Sequence, residues 1–434
     1  MTDMQRKIAL FGGVAILILG TGFIQSWNSA LLILNFGLVS AIMALGVNLQ
    51  WGFAGLFNVG IMGFVALGGL ATVIIGMPPT EGAWAAGGLR IGFGLILGAM
   101  TVIAAVLVQQ KLPAGRQRTW ITISVIGVGF FIYRYVFDGG VAAVEAVDAA
   151  RTGYLGGLGL PILLSWPVGG LFAAAGAWVI GKTALGLRSD YLAIATLGIS
   201  EIIIAVLKNE DWLARGVKNV NGIPRPVAYE VNLQNDPSFV ERAAGLGLDP
   251  TTASTLYVKI SYGILFAVVL VIILVLAQLA LKSPWGRMVR AIRDNETAAR
   301  AMGKNVKARH LQIFVLGSAI CGVAGAMMTS LDGLLAPTSY QPLRFTFLVW
   351  VMVIVGGSGN NYGAVLGGFL IWFLWVQVEP MGTLLMNIIT AGMADGSSLK
   401  EHLMDSVAHM RLLTMGLIML LVLRFAPRGL IPEK

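Results

Sequence analysis

Apolar and polar positions along the chain alternate in blocks. Runs of about 20 apolar residues, the length that crosses a bilayer core at 1.5 Å per residue, are separated by short polar stretches. Twelve runs qualify as predicted spans: Ile8–Ile24, Ala30–Gln50, Phe57–Ile75, Ile91–Gln109, Trp120–Val136, Pro161–Gly181, Tyr191–Leu207, Tyr257–Leu281, Leu311–Ser330, Phe345–Gly357, Tyr362–Val378 and Leu412–Leu423. The Phe345 and Leu412 runs are short, so the pattern predicts ten to twelve helices. The first run, behind Arg6 and Lys7, has no small-residue cleavage site after it and reads as a retained helix rather than a signal peptide. The predicted fold class is an all-α polytopic integral membrane protein.

Composition agrees. Of 434 residues, 57% are hydrophobic and 12% charged, half the charged share of a typical soluble domain. The net charge of +9 is spread over short loops between apolar runs. That distribution points to a membrane surface and speaks against nucleic acid. One cysteine, Cys321, excludes an intrachain disulfide, and with only three histidines a metal site is not expected.

Charge orients the spans. With the N-terminus inside, the inner loops are Lys111–Arg118, Lys182–Arg188, Lys282–His310 and the tail from Arg424. The outer loops Phe137–Gly159, Lys208–Thr255 and Glu379–Met410 carry most of the acids. Lys282–His310 alone holds eight Lys/Arg against two acids. Both termini are therefore expected on the cytoplasmic side. The segment 208–256 reads as a periplasmic insertion, and residues 282–310 as a cytoplasmic loop within a single transmembrane domain, 1–434.

Several motifs invite chemistry. Gly176–Thr183 matches G-x-x-x-x-G-K-[ST], but its Gly/Ala-rich setting at membrane depth lacks the strand-to-helix turn that cradles phosphate, so no nucleotide site is expected. No nucleophile elbow or triad is present, and no residue is assigned a catalytic role. Gly356, Gly357, Gly359 and Gly363 divide two apolar runs, a pattern that suits close packing or a broken helix lining a path. Glu201 lies deepest among the carboxylates and is expected to face the bundle interior. Asn48 and Asn58 flank the break Trp51–Gly55. These seven residues are the candidate substrate path. Inside the basic loop, Ala298, Ala299 and Gly303 shape a small-faced helix ending in a turn, which another protein could grip.

The stretches Gly46–Gly60, Leu187–Glu201, Asn221–Pro224, Ser283–Gly303, Gly356–Gly363 and Arg424–Leu430 together resemble the LivM-type permease subunits of branched-chain amino acid ABC transporters (the LivH/LivM permease family). The resemblance implies a permease in the bacterial inner membrane that imports branched-chain amino acids and hydrolyses nothing itself. It implies four kinds of partner: a second, LivH-type permease, two cytoplasmic LivG/LivF-type ATPases that bind the ATP and Mg, a periplasmic amino-acid-binding protein, and membrane lipid. No cofactor is expected in this chain. Import permeases of this class dock on the ATPase through Glu-Ala-Ala-x-x-x-Gly. Here Ala298, Ala299 and Gly303 fit, Thr297 replaces the Glu, and Glu296 precedes it; Arg290 and Arg293 are expected to meet acidic groups of the ATPase. Urea or short-amide import is the alternative within the class. A stand-alone channel or ion-coupled carrier is the alternative outside it, and would leave the coupling loop unexplained.

Overall fold

The computed structural model describes residues 2–148, 152–393 and 397–433. Parts of the predicted outer loops, at 149–151 and 394–396 (Asp395 among them), and the last residue of the tail lie outside the described residues. Among those described, ten helices are long and apolar enough to span a membrane. They are α1 Asp3–Ile24, α2 Trp27–Gln50, α4 Glu81–Lys111, α5 Arg116–Glu145, α6 Ile162–Ala184, α7 Ser189–Asn209, α8 Pro250–Lys282, α11 Val306–Asp332, α13 Asn361–Thr390 and α14 Ser398–Phe425. Two shorter apolar helices, α3 Ile61–Gly76 and α12 Pro342–Gly356, complete the set. Two further helices, α9 Pro284–Asp294 and α10 Glu296–Ala301, occupy the basic loop. Each predicted span overlaps one of the twelve. The chain is an all-α polytopic membrane protein.

Helix α2 is the axis. Every residue from Gly37 to Gln50 is buried, as expected of a helix apolar on all sides. Helices α8, α11, α12 and α13 surround it, and α11 packs in turn on α3 and α6. Helices close in lipid through small residues, because lipid tails leave no hydrophobic drive between them. Gly68 of α3, Gly322 of α11 and Gly169 of α6 meet backbone to backbone: a Cβ at Gly68 would stand 1.9 Å from the Gly322 carbonyl oxygen, and one at Gly322 2.4 Å from that of Gly169. Gly317, Cys321 and Gly325, spaced by four, press the same helix onto α2 and α3.

Helices α4 and α5 form a peripheral hairpin, packed on each other and exposing Ile96, Ile103, Ile123 and Phe131. Such a surface is stable only against hydrocarbon or another protein. Ile91, Phe137 and Trp212 tie its far end to the segment after α7.

The two ends of the bundle differ in charge. At the basic end, Lys7 stands 4.5 Å over the ring of Tyr362, Arg293 meets Glu433, and Lys307 approaches Gly186. Both ends of the chain and the loop 282–305 therefore share one face of the bundle. At the opposite end the segment 210–249 folds into short helices and strand β1 Val220–Asn221, which pairs antiparallel with β2 Leu334–Leu335, Val220 opposite Leu335.

Candidate coupling site

The basic loop is built as two consecutive short helices, α9 and α10. Pro284 opens α9, where its fixed φ and missing N–H cost nothing. Gly286 permits the turn out of α8: a Cβ there would lie 2.3 Å from the Leu281 carbonyl oxygen. Val289 and Ile292 bury one side of α9. Two arginines beside that buried side do structural work. Arg290 donates to the Leu281 carbonyl at 3.2 Å, satisfying one of the orphan acceptors at the end of α8.

Arg293 is held from three directions. It donates to the Gly52 carbonyl in the α2–α3 turn, pairs with Glu433 of the tail at 2.8 Å and with Asp294 at 3.0 Å. Burial opposes its charge, but the Glu433 and Asp294 carboxylates outweigh that and hold the guanidinium pKa above its usual value. Arg290 and Arg293, which the sequence assigns to a partner's acids, thus spend donors inside their own chain. The concavity between α9, the 357–360 turn and the tail, about 840 Å³, keeps Arg287 and Arg428 on its wall.

Helix α10 is the opposite case. Asn295 caps it, accepting from the Ala298 N–H at 2.9 Å, and Glu296 pairs with Arg300 one turn on. It ends with the Lys304 N–H on the Ala299 carbonyl and the Gly303 N–H on that of Arg300. Gly303 sits at φ +72°, the left-handed stop of a Schellman turn. Thr297, Ala298, Met302 and Gly303 are exposed, and a Cβ at Gly303 would meet nothing within 4 Å. Apart from half-buried Ala299, the small face of α10 is left open among the described residues.

The family profile described as "Branched-chain amino acid transport system / permease component" matches residues 116–423, which include α9 and α10. The chain belongs to that family. Among its relatives, the high-affinity branched-chain amino acid transport system permease protein LivM of Escherichia coli is 27% identical over 315 residues, 71% of this chain and 65% of that protein. This chain therefore spans just under two thirds of that relative's length. The probable branched-chain amino acid transport permease protein LivM of Methanocaldococcus jannaschii is 24% identical over 93% of each chain. The ribose import permease protein RbsC of Haemophilus influenzae is 26% identical over 60% of this chain and 74% of its own. No solved structure matches.

The predicted path residues of this permease-family chain divide in three. Asn48 and Asn58 are buried and fully engaged. Asn48 accepts from the Gly359 N–H at 2.9 Å and donates to Asn361 at 3.0 Å. Asn58 donates to Gln50 at 2.8 Å and accepts from the Gly60 N–H, while its carbonyl takes the Trp350 indole N–H at 3.1 Å. Gln50 reaches on to the Phe314 carbonyl and Ser318, each at 3.0 Å. Together they pin the irregular residues 51–60 at the broken end of α2. That is why the predicted Phe57–Ile75 span starts as a helix only at Ile61. Gly356, Gly357, Gly359 and Gly363 pack α12 on α13 and seat the tail, the Leu430 and Ile431 N–H groups donating to the Val355 and Gly356 carbonyls. Glu201 alone of the seven is exposed, on the face of α7 turned away from the bundle, whereas the sequence expectation had it facing inward.

Gln50, Asn361, Trp350 and Glu433 were not singled out from sequence. The first two had a signal, being amides at the ends of apolar runs where a terminus needs capping. A cavity of about 190 Å³, walled by Met43, Met328, Met352 and Phe345, lies between α2, α11, α12 and α13, and none of the predicted path residues lines it. The Gly176–Thr183 run is helical throughout, inside α6 up to its last turn.

Proposed function

We propose that this chain is one permease subunit of an ATP-driven importer of branched-chain amino acids in the bacterial inner membrane, working with a second LivH-type permease, two cytoplasmic LivG/LivF-type ATPases and a periplasmic amino-acid-binding protein. The observation that carries the reading is α10: a short, capped, small-faced helix left uncovered at the basic end, inside the region that matches the permease family. The excess of Lys and Arg at that end supports its assignment to the cytoplasm. There α10 would dock on an ATPase that binds the ATP and Mg, with Arg287 and Arg428 favouring an acidic partner surface.

The chain then breaks no covalent bond. Its part is to convert movement of α9 and α10 into movement of spans. Arg293 joins α9 to the α2–α3 turn at Gly52. Four residues earlier, in the last turn of α2, Asn48 holds the α12–α13 turn at Gly359. A shift of the coupling helices would thus be delivered to two breaks between spans, and packed elements switch as rigid bodies rather than bending continuously.

The test is ATP-dependent uptake of labelled leucine in a strain carrying only this permease and its neighbours, with unlabelled urea as competitor. Leucine uptake that disappears with Ala298→Glu, while urea leaves it unchanged, supports the proposal. Uptake of urea and not leucine, or leucine uptake indifferent to ATP, would sink it.

A further inference from the structure

Helix α7 turns one stripe away from the rest of the chain. Ile194, Gly198, Glu201, Ile202 and Ala205 follow one another at helical spacing on a single face, and all five are exposed. The opposite stripe, Leu192, Thr196, Ser200 and Ile204, is buried. A Cβ at Gly198 would meet nothing within 4 Å, so a notch opens one turn below Glu201.

Depth makes this stripe unusual. The 21 residues of α7 span about 31 Å, and Glu201 stands two residues, about 3 Å, from the midpoint. A bilayer core is about 30 Å thick. The carboxylate is therefore near the middle of the membrane, about 12 Å from the nearer helix end and too short to reach it. No hydrogen bond or ion pair within the described residues engages it. An ionisable group held at that depth and turned outward is not set against hydrocarbon; it faces water, a partner or a cargo.

We propose that this stripe is one wall of the water-filled translocation path, and that Glu201 holds the ammonium group of the amino acid in transit. The proposal rests on the import function above, the facing wall being the second permease. The chemistry fits one class of cargo. A carboxylate flanked by Ile194 and Ile202, with room at Gly198, offers a counter-charge and an apolar surface together. An aliphatic α-amino acid presents a cation beside a hydrocarbon chain; urea and pentoses present no cation.

The test uses thiol labelling in membranes carrying the assembled importer. Cys321, the chain's only cysteine, is buried, so background is low. Gly198→Cys is expected to react with water-borne methanethiosulfonates, the trimethylammonium reagent about tenfold or more faster than the sulfonate, the scale on which a charged cleft concentrates counter-ions. Glu201→Gln in that background should level the two rates, and leucine but not urea should slow labelling. Ile264→Cys, on an exposed position of α8, is the unreactive control. Should Gly198→Cys fail to fold, Ala205→Cys on the same stripe carries the test. The proposal falls if the stripe cysteine is as inert as Cys at 264, if the charge preference survives Glu201→Gln, or if urea protects and leucine does not. Leucine uptake by the unsubstituted importer reads the function separately: uptake with an inert stripe removes the path assignment alone, and a reactive stripe without uptake removes the function.

Discussion

Arg293 of α9 and Glu433 of the tail, 140 residues apart in sequence, stand 2.8 Å apart in space, and the same guanidinium nitrogen donates to the Gly52 carbonyl. One side chain thus fastens the basic loop both to the end of the chain and to the break between α2 and α3.

The contributions of the two bonds separate by substitution. Glu433→Gln removes a partly exposed ion pair and should cost about 1 kcal/mol or less. Arg293→Ala also leaves the Gly52 carbonyl short of its donor, adding about 1–3 kcal/mol. Arg293→Lys should rescue poorly, because a single ammonium cannot hold the Asp294 carboxylate, which the other two guanidinium nitrogens reach, as well as the Gly52 carbonyl and Glu433. Unfolding midpoints of the purified chain in detergent rank the three; equal effects of Glu433→Gln and Arg293→Ala would show that the Gly52 bond contributes nothing.

Asn48 should behave as a latch. Asn48→Leu strands the Gly359 N–H and the Asn361 amide oxygen in a buried site, at about 1–3 kcal/mol for each unsatisfied group. Gly52→Ala attacks the same latch from outside, since its Cβ would lie 2.2 Å from the Asn48 amide oxygen and 2.4 Å from the Gly359 nitrogen. Because both act on one contact, their combined cost should fall short of the sum, a coupling that a double-mutant cycle in unfolding free energy reads directly. Strict additivity would count against the latch.

Much of this was legible in the sequence, and the division is physical. Spans are set by an average over about 20 residues, so hydropathy finds them: all twelve runs correspond to helices, and the short Phe345 and Leu412 runs became Pro342–Gly356 and Met410–Phe425 once their polar or proline-led ends were included. The stop at Gly303 is local and was readable too. Partner choice is not local. Nothing near Arg293 in sequence says that it turns back to Gly52, and nothing near Asn58 says that Trp350 donates to it. Glu201 shows the other limit. Its depth was legible, but the direction it faces depends on which side of α7 meets α3, and the sequence expectation turned it inward.

Ala298→Glu tests the exposed helix rather than the fold. Ala298 is solvent-exposed on a capped helix, so the substitution should change stability by no more than about 0.5 kcal/mol. It nevertheless places a charged, bulky group on the small face. The expected outcome is an intact chain that no longer co-purifies with the ATPases proposed for it. Gly303→Arg should do the same with a further cost of about 1 kcal/mol for the left-handed backbone. Co-purification and ATP-driven uptake at the unsubstituted level in both variants would remove α10 as the coupling element.

The junction of α12 and α13 gives the sharpest stability contrast. Next to their turn these helices meet backbone to backbone: a Cβ at Gly356 would stand 2.0 Å from the Gly363 carbonyl oxygen, and one at Gly367 1.9 Å from that of Met352. Neither obstacle is the end of a flexible side chain, so neither can move aside without separating the helices. Gly367→Ala must therefore part α12 from α13, loosening the turn that Asn48 and the tail both grip, and should cost about 1–3 kcal/mol. Gly12 of α1 has nothing within 4 Å of its would-be Cβ, so Gly12→Ala should be neutral or stabilising by up to about 1 kcal/mol through helix propensity. The two substitutions add the same methyl group to the same kind of residue, each in a helix at membrane depth, and differ only in what that methyl meets. Unfolding midpoints measured side by side decide the matter: if Gly367→Ala is as harmless as Gly12→Ala, the close approach is not what joins the two helices.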